Sequence, residues 1–414
     1  HRTEPRSSGP MSTTSEMAAV EICIDWHAND VAHRNRAYAG KVNFWRDIFP
    51  GTLAVQLPES DGEWVREEFP AGELVAPWRE SNIHTVKPAT LNLQRKNGPP
   101  VQLQTGRHYP RYLAAGLADI HAGNVQPMHI TAIEDDAVTI DLNHALARVP
   151  LTVSARIDKR LGSTGEHGGR CNDLVTDLLD TGAGLETLHP DNAHFFDGQP
   201  FARLDEREDS LFYSQPRLVQ HLDAMAIEQL SRIYAGFLED GMQVLDLMSS
   251  WVSHLPDELT LSVTGLGINE AELAKNPRLA QYTLHDLNAD PHLPFPDRQF
   301  DAAVCTVSIE YLTDPVQVVK DIGRVLKPGA PFIVTFSDRW FPTKVVGIWN
   351  DLHPFERMAL VLEYFHRAGN FTDLATESVS GYPRPEDDKY AGRMALSDPV
   401  FTVSGRATGQ EPCA

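Results

Sequence analysis

Several apolar runs in the second half of the chain end on polar side chains capable of chemistry. Val244-Leu-Asp-Leu247 is a buried-strand pattern ending in the Asp246 carboxylate, followed by Met248-Ser-Ser-Trp-Val-Ser-His-Leu255. A second run, Leu261–Leu266, leads to Gly267-Ile-Asn269, and a third polar end is His285-Asp286-Leu287. A fourth run passes through Ser308 into Glu310 and Tyr311, and after Pro331–Phe336 comes Ser337-Asp-Arg-Trp-Phe-Pro-Thr-Lys344. In an open α/β sheet, ligands bind beyond the carboxyl ends of the strands, so these groups would collect at one site. There Glu310 and Tyr311 are candidates for moving a proton from a reacting group, with Glu310 otherwise a helix-start carboxylate. Arg339 and Lys344 would orient an anionic group, or else cap helices or pair with Asp338 and Asp351. Upstream, Tyr213, Arg217 and His221 recur every four residues, aligned on one face if a helix extends that far. That face would close the pocket, while Leu218 and Leu222 would pack inward.

The elements that must position these groups alternate. Helical stretches at Gln215–Glu239, Asp314–Leu326 and Asp351–Ala368 separate apolar runs at Met242–Leu247, Leu261–Leu266, Phe300–Val307 and Pro331–Phe336. This grammar predicts a doubly wound α/β fold with a mostly parallel sheet. The first part of the chain reads differently. Between Val20 and Ile157, short alternating runs at Glu21–Asp25, Gly51–Gln56, Val101–Gln104, Met128–Ile133, Ala137–Asp141 and Leu151–Ile157 predict a mostly β domain. One short helix is expected around Lys41–Ile48, ended by Pro50-Gly51. The expected division is residues 1–16 outside the fold, with the native start at Met11, a β-rich domain over 17–160, a linker over 161–204 with a helical turn at Asp173–Leu179, and an α/β domain over 205–414.

Composition narrows the partners. The 414 residues include 36 Lys and Arg against 57 Asp and Glu, a formal charge of -21 that repels a phosphate backbone and anionic membrane surfaces. No stretch approaches the roughly 20 apolar residues that span a bilayer. The N-terminus has no secretory pattern. Four scattered cysteines without a CxxC pair argue against a disulfide framework or a cysteine zinc cluster, and no metal site is expected. The expectation is a cytoplasmic protein without nucleic-acid or membrane partners.

The series from Val244 to Gly329, above all Leu293-Pro-Phe-Pro-Asp297, Phe300-Asp301 and Arg324-Val-Leu-Lys-Pro-Gly329, resembles class I S-adenosylmethionine-dependent methyltransferases over about residues 205–407. The resemblance implies a Rossmann-like, mostly parallel seven-stranded sheet of order 3-2-1-4-5-7-6, with Asp398–Arg406 as the antiparallel last strand. It implies S-adenosylmethionine as cofactor, with Asp246 and Ser249 near its methionine end and Ser250 in the same loop. Asn269 would lie near the ribose, Asp286 and Leu287 by the adenine, and Ser308 under the sulfonium. Glu310, Tyr311 and Tyr213 are the catalytic candidates; Arg339, Lys344 and Arg217 are the substrate-binding ones. Two departures stand out. The three usual glycine positions after the first strand hold Met248, Ser250 and Val252, and Gly267 occupies the usual acidic position, leaving Asn269 or Glu270 to reach the ribose. Loss of glycine restricts positive φ and close backbone approach.

In the first half, Ile130–Ala147 followed by Leu151–Ile157, with Asn143-His-Ala-Leu-Ala147 at its centre, is similar to the end of SlyD-like FKBP-type peptidyl-prolyl isomerases. That resemblance implies an FKBP-like domain with an inserted, chaperone-like flap. Trp26, Asp25, Phe44 and Trp45 are the candidates for its cleft, each also readable as core; Asn143 and His144 read as turn residues that satisfy their own backbone. The expected function is methyl transfer to a small-molecule or polypeptide acceptor, with the FKBP-like domain as a substrate-binding or assembly module. The alternatives are a peptide-binding, chaperone-like protein with a degenerate methyltransferase fold, or an active isomerase.

Overall fold

The structure is a computed structural model that describes residues 16–94, 100–163, 168–181 and 194–409. The chain divides into two compact units, residues 1–29 with 33–194, and residues 30–32 with 195–414.

The first unit holds β1 (Glu16–Ala28), β2 (Val31–Asn43), β3 (Val65–Phe69), β4 (Ile83–Val86), β5 (His108–Pro110), β6 (Pro127–Glu134), β7 (Ala137–Asp141) and β8 (Leu151–Ser163). One sheet runs β2-β1-β8-β3 and a second, antiparallel one runs β4-β7-β6-β5. The second sheet lies in sequence between β3 and β8, and it closes over its own core of Met128, Ile130, Val138 and Ile140. These are the inward positions of two alternating strands, as period-two patterning requires.

Two local expectations are corrected. β2 continues to Asn43 where a helix over Lys41–Ile48 was expected, and the chain then turns with the Asp47 carboxylate accepting from the Asn43 N–H at 2.9 Å. The helix forms instead over Leu53–Glu59, overlapping the Gly51–Gln56 run read as a strand, because Leu53 and Leu57 stand four apart and bury together. The Val101–Gln104 run forms no strand among the described residues. Asn143 does more than turn the chain: its Oδ1 accepts from the Arg79 N–H and from Asn82 Nδ2, and its Nδ2 donates to the Arg79 carbonyl oxygen. His144 does serve the local turn, with Nδ1 accepting from the Leu146 N–H at 3.0 Å. Within 161–204, β8 extends to Ser163 and a helix spans Leu174–Thr181. Residues 164–167 and 182–193 lie outside the described residues, as do residues 1–15 of the segment read as outside the fold; Glu16 already belongs to β1.

The second unit holds β9 (Gln243–Leu247), β10 (Ser262–Gly267), β11 (Leu279–Leu284), β12 (Ala302–Thr306), β13 (Pro331–Phe336), β14 (Phe371–Ser380) and β15 (Val400–Ala407). Within the unit the order is β11-β10-β9-β12-β13-β15-β14. The first five are parallel, and β15 runs antiparallel to both β13 and β14. The seven strands follow the expected order 3-2-1-4-5-7-6 with β15 as the antiparallel last strand, so the sheet is mixed rather than wholly parallel: the chain returns between β14 and β15 without a crossover helix. The chain order reverses between β9 and β12, which makes the switch point a ready ligand crevice.

The helix expected over Gln215–Glu239 spans only Ala224–Ala235. Asp223 sets its start, accepting from the Met225 and Ala226 N–H groups. The same carboxylate accepts from Ser397 Oγ and the Asp398 N–H, and Arg384 bridges it to Asp398 at 3.3 and 2.6 Å. Residues 213–222 therefore form a non-helical strap, and Tyr213, Arg217 and His221 do not share a helical face.

Candidate functional site

The ends of β9, β10 and β12 and the strap enclose one cavity. Every expected cofactor-binding residue faces it: Asp246, Ser249, Ser250, Asn269, Asp286, Leu287 and Ser308. Among the other expected site residues, Tyr213, Tyr311 and Arg217 face it as well, whereas Glu310, Arg339 and Lys344 are not among its lining residues.

The loop after β9 explains how the cavity forms without glycines. Met248 adopts φ 54°, the left-handed conformation that glycine normally supplies. A non-glycine residue held there costs on the order of 1–3 kcal/mol. The Asp246 carboxylate offsets part of that by collecting the loop hydroxyls, accepting from Ser249 Oγ at 2.6 Å and Ser253 Oγ at 2.7 Å. Burial pushes its carboxyl up to about 6, against the pull of those two hydroxyls. The Ser249 N–H donates to the Leu266 carbonyl oxygen, drawing the loop against β10. A Cβ on Gly267 would stand 2.5 Å from the Ser249 carbonyl oxygen, so glycine at 267 is what allows this approach.

At the end of β10, Asn269 caps the short helix Glu270–Leu273, its Oδ1 accepting from the Glu272 N–H. Its Nδ2 donates to the Tyr213 carbonyl oxygen at 2.7 Å. Beside it the Glu272 carboxylate accepts from Ser250 Oγ at 2.6 Å and from the Arg217 N–H at 2.7 Å. Nothing in the sequence distinguishes Glu272 from Glu270 in the same short helix. Asp286 accepts from the Asn288 N–H, and Ser308 Oγ donates back to the Thr306 carbonyl oxygen. Under the floor, Tyr234 is fully buried with its hydroxyl 2.6 Å from Thr306 Oγ1 and 2.8 Å from Thr335 Oγ1.

The strap supplies the roof. The Arg217 guanidinium lies 4.3 Å from the centre of the Phe212 ring and 5.2 Å from that of Phe341. Its Nη2 donates to the Phe212 carbonyl oxygen, while Nη1 is buried with no hydrogen-bond partner among the described residues. His221 and His254 also face the cavity, and both are lowered by burial first, His254 to about 4. Both imidazoles are therefore uncharged at neutral pH. Burial raises the Tyr213 and Tyr311 phenols, so they stay protonated, and Tyr311 accepts from the Phe341 N–H at 2.9 Å.

Three expected residues serve elsewhere. Glu310 is 1% exposed, and burial pushes its carboxyl up to about 8. Its Oε2 has no hydrogen-bond partner among the described residues. Lys344 is wholly buried, its Nζ donating to the Asp205 and Arg207 carbonyl oxygens and pairing with Asp209 at 2.9 Å. Arg339 pairs with Asp398 at 2.8 Å and stacks near Tyr390. The partners expected for the two cations, Asp338 and Asp351, are thus replaced by Asp398 and Asp209.

Residues 249–334 match the methyltransferase domain family. The chain carries an S-adenosylmethionine-dependent methyltransferase domain. It is 34% identical over 92 residues to the ubiquinone/menaquinone biosynthesis C-methyltransferase UbiE of Laribacter hongkongensis, covering 22% of this chain and 36% of that protein. It is 33% identical over 194 residues to cycloartenol-C-24-methyltransferase 1 of Oryza sativa, covering 41% of this chain and 56% of that one. The chain thus spans between about a third and a little over half of the length of these curated relatives. Among solved structures, the Haemonchus contortus phosphoethanolamine N-methyltransferase 2 complex with S-adenosylhomocysteine covers 44% of this chain and 52% of that one, at 16% identity and a TM-score of 0.32.

The cavity of the methyltransferase domain suits this cofactor. Carboxylates of Asp246, Glu272 and Asp286 face it with two uncharged histidines, a setting that favours a cationic sulfonium. Asp246 and the Ser249–Ser250 loop would hold the methionine end, and Asp286 with Leu287 the adenine. No described helix is long and apolar enough to cross a membrane.

Proposed function

We propose that the chain transfers the methyl group of S-adenosylmethionine to an acceptor held between the strap and the ends of β12 and β13. The observation that carries this reading is Arg217. Its guanidinium, flanked by Phe212 and Phe341, keeps one buried nitrogen, Nη1, without a hydrogen-bond partner among the described residues at the wall of the cavity. A free, desolvated donor of this kind fits an anionic or strongly polar oxygen on the acceptor. Methyl transfer from an activated sulfonium needs mainly positioning and exclusion of water, which the rings of Phe212, Tyr213 and Phe341 supply. Tyr213 and Tyr311, both protonated, would then donate to acceptor oxygens rather than abstract protons.

The acceptor class we favour is a small, largely apolar molecule with an ionisable oxygen near a nucleophilic carbon. Exposed Leu218 and Val219 on the strap, with Leu211 just before it, support an apolar approach to the cavity. The relatives' names, C-methyltransferases of ubiquinone/menaquinone biosynthesis and of cycloartenol, support the same chemistry. For the first unit we propose an FKBP-like module that binds a polypeptide or assists assembly. Support comes from the separate four-stranded sheet inserted between β3 and β8 and from the Asn143 clamp onto Arg79. Isomerase chemistry is not favoured: Trp26 and Phe44 are buried, Trp26 stacks on His33, and Asp25 pairs with Arg34.

The test is calorimetric titration of the full chain with S-adenosylmethionine and S-adenosylhomocysteine, followed by labelled-methyl transfer to naphthol-type, sterol and peptide acceptors. Micromolar binding, about -8 kcal/mol, with transfer to one of the apolar acceptors and its loss in Arg217→Ala, supports the proposal. Absence of cofactor binding would end it.

A further inference from the structure

Building on that reading, we propose that Glu272, on the short helix after β10, is the carboxylate that binds the ribose hydroxyls of the cofactor. Nucleotide-type ligands at this kind of switch point meet an acidic side chain near the end of the second strand, which accepts from the ribose 2′-hydroxyl. Here the strand ends on Gly267, where no side chain fits. A Cβ would lie 2.5 Å from the Ser249 carbonyl oxygen, and that oxygen belongs to backbone pinned to Leu266. Asn269, the nearest polar residue, is already committed, with Oδ1 capping the helix and Nδ2 held by the Tyr213 carbonyl oxygen.

Glu272 meets the requirement from the next turn. It faces the cavity and is 9% exposed. Each carboxylate oxygen accepts one hydrogen bond, Oε2 from Ser250 Oγ and Oε1 from the Arg217 N–H. A carboxylate offers about four acceptor positions. Two are filled, so one remains on each oxygen, which is what a vicinal diol needs for a paired contact. The two existing bonds come from the β9 loop and the strap, and they fix the carboxylate between floor and roof. The acidic function has thus moved from the strand end to the helix, and the vacated position lets the glycine-free loop close against β10.

The test uses the full chain, titrated with S-adenosylhomocysteine and with its 2′-deoxyribosyl analogue. Wild type should prefer the ribosyl compound by about tenfold or more, as for a charge-assisted hydrogen bond. Glu272→Gln should reduce that preference to within about threefold, and Glu272→Asp, which keeps the charge but shortens the reach, should fall between. A folded Glu272→Gln that retains the full preference would overturn the assignment, as would a wild type that binds both compounds equally, a result that needs no variant. A wild type that binds neither compound would overturn the cofactor site itself along with this assignment.

Discussion

Asn269 Nδ2 donates to the Tyr213 carbonyl oxygen at 2.7 Å, so the residue that caps the helix after β10 also holds down the strap over the cavity. Roof and floor are joined through one side chain. Asn269→Ala removes the cap and the tie together and should cost about 1–2 kcal/mol of stability. It should also weaken S-adenosylhomocysteine binding and speed proteolytic cleavage between residues 210 and 222. Unchanged cleavage would show that the strap is held by other contacts.

Restoring the usual acidic residue at the end of β10 should fail. In Gly267→Asp the new Cβ meets the Ser249 backbone. The expected result is a loss of about 1–3 kcal/mol in stability and weaker cofactor binding. Tighter binding in calorimetry would refute the close-approach argument.

Glu310 should govern stability rather than transfer. Its folded value of about 8 lies above the ordinary 4.5, because burial penalises the charged form. Between those values the folded chain keeps a proton that the unfolded chain releases. This contribution is therefore fully present below about 4.5 and is lost as pH rises towards 8. Glu310→Gln should flatten that decline and raise stability at pH 7.5 by on the order of 2 kcal/mol, with cofactor affinity unchanged. A denaturation series from pH 5 to 8.5 checks the slope.

Lys344 is the clearest case of a cation that looked functional and is structural. Its ammonium holds the Asp205 and Arg207 carbonyl oxygens and the Asp209 carboxylate in a buried site. Lys344→Met leaves the Asp209 carboxylate with Arg203 and Asn288 among the described residues. Removing one partner of such a pair costs about 3–5 kcal/mol, which chemical denaturation would read directly.

Much of the cavity was legible because strand ends announce themselves. An apolar run that stops on a polar residue marks a carboxyl edge, and Asp246, Asn269, Asp286 and Ser308 all face the cavity. What stayed hidden depends on pairing across long separations. Nothing local to Lys344 points to Asp209, and nothing local to Glu272 points to Ser250 or the Arg217 backbone. The helix boundary at Asp223 was misplaced because the periodicity of Leu218 and Leu222 continues through a segment whose backbone is not helical. Met248 shows the converse limit: a residue type that disfavours positive φ adopts it because Asp246 and the contact with β10 over-determine the loop.

The capping carboxylate of Asp223 also has a bearing on how the chain is made. Its contacts with Asp398 join residues 175 positions apart within the second unit. At about 5–20 residues per second of synthesis, residue 398 emerges roughly 10–35 s after the helix it helps to anchor. Until then Arg384, when it appears, has only the carboxylates already made to pair with, and β15 has not yet closed onto β13. Synthesis of the segment from Arg384 to β15 thus acts as a latch, and a nascent chain stalled before residue 398 would present the second unit's sheet open on that side.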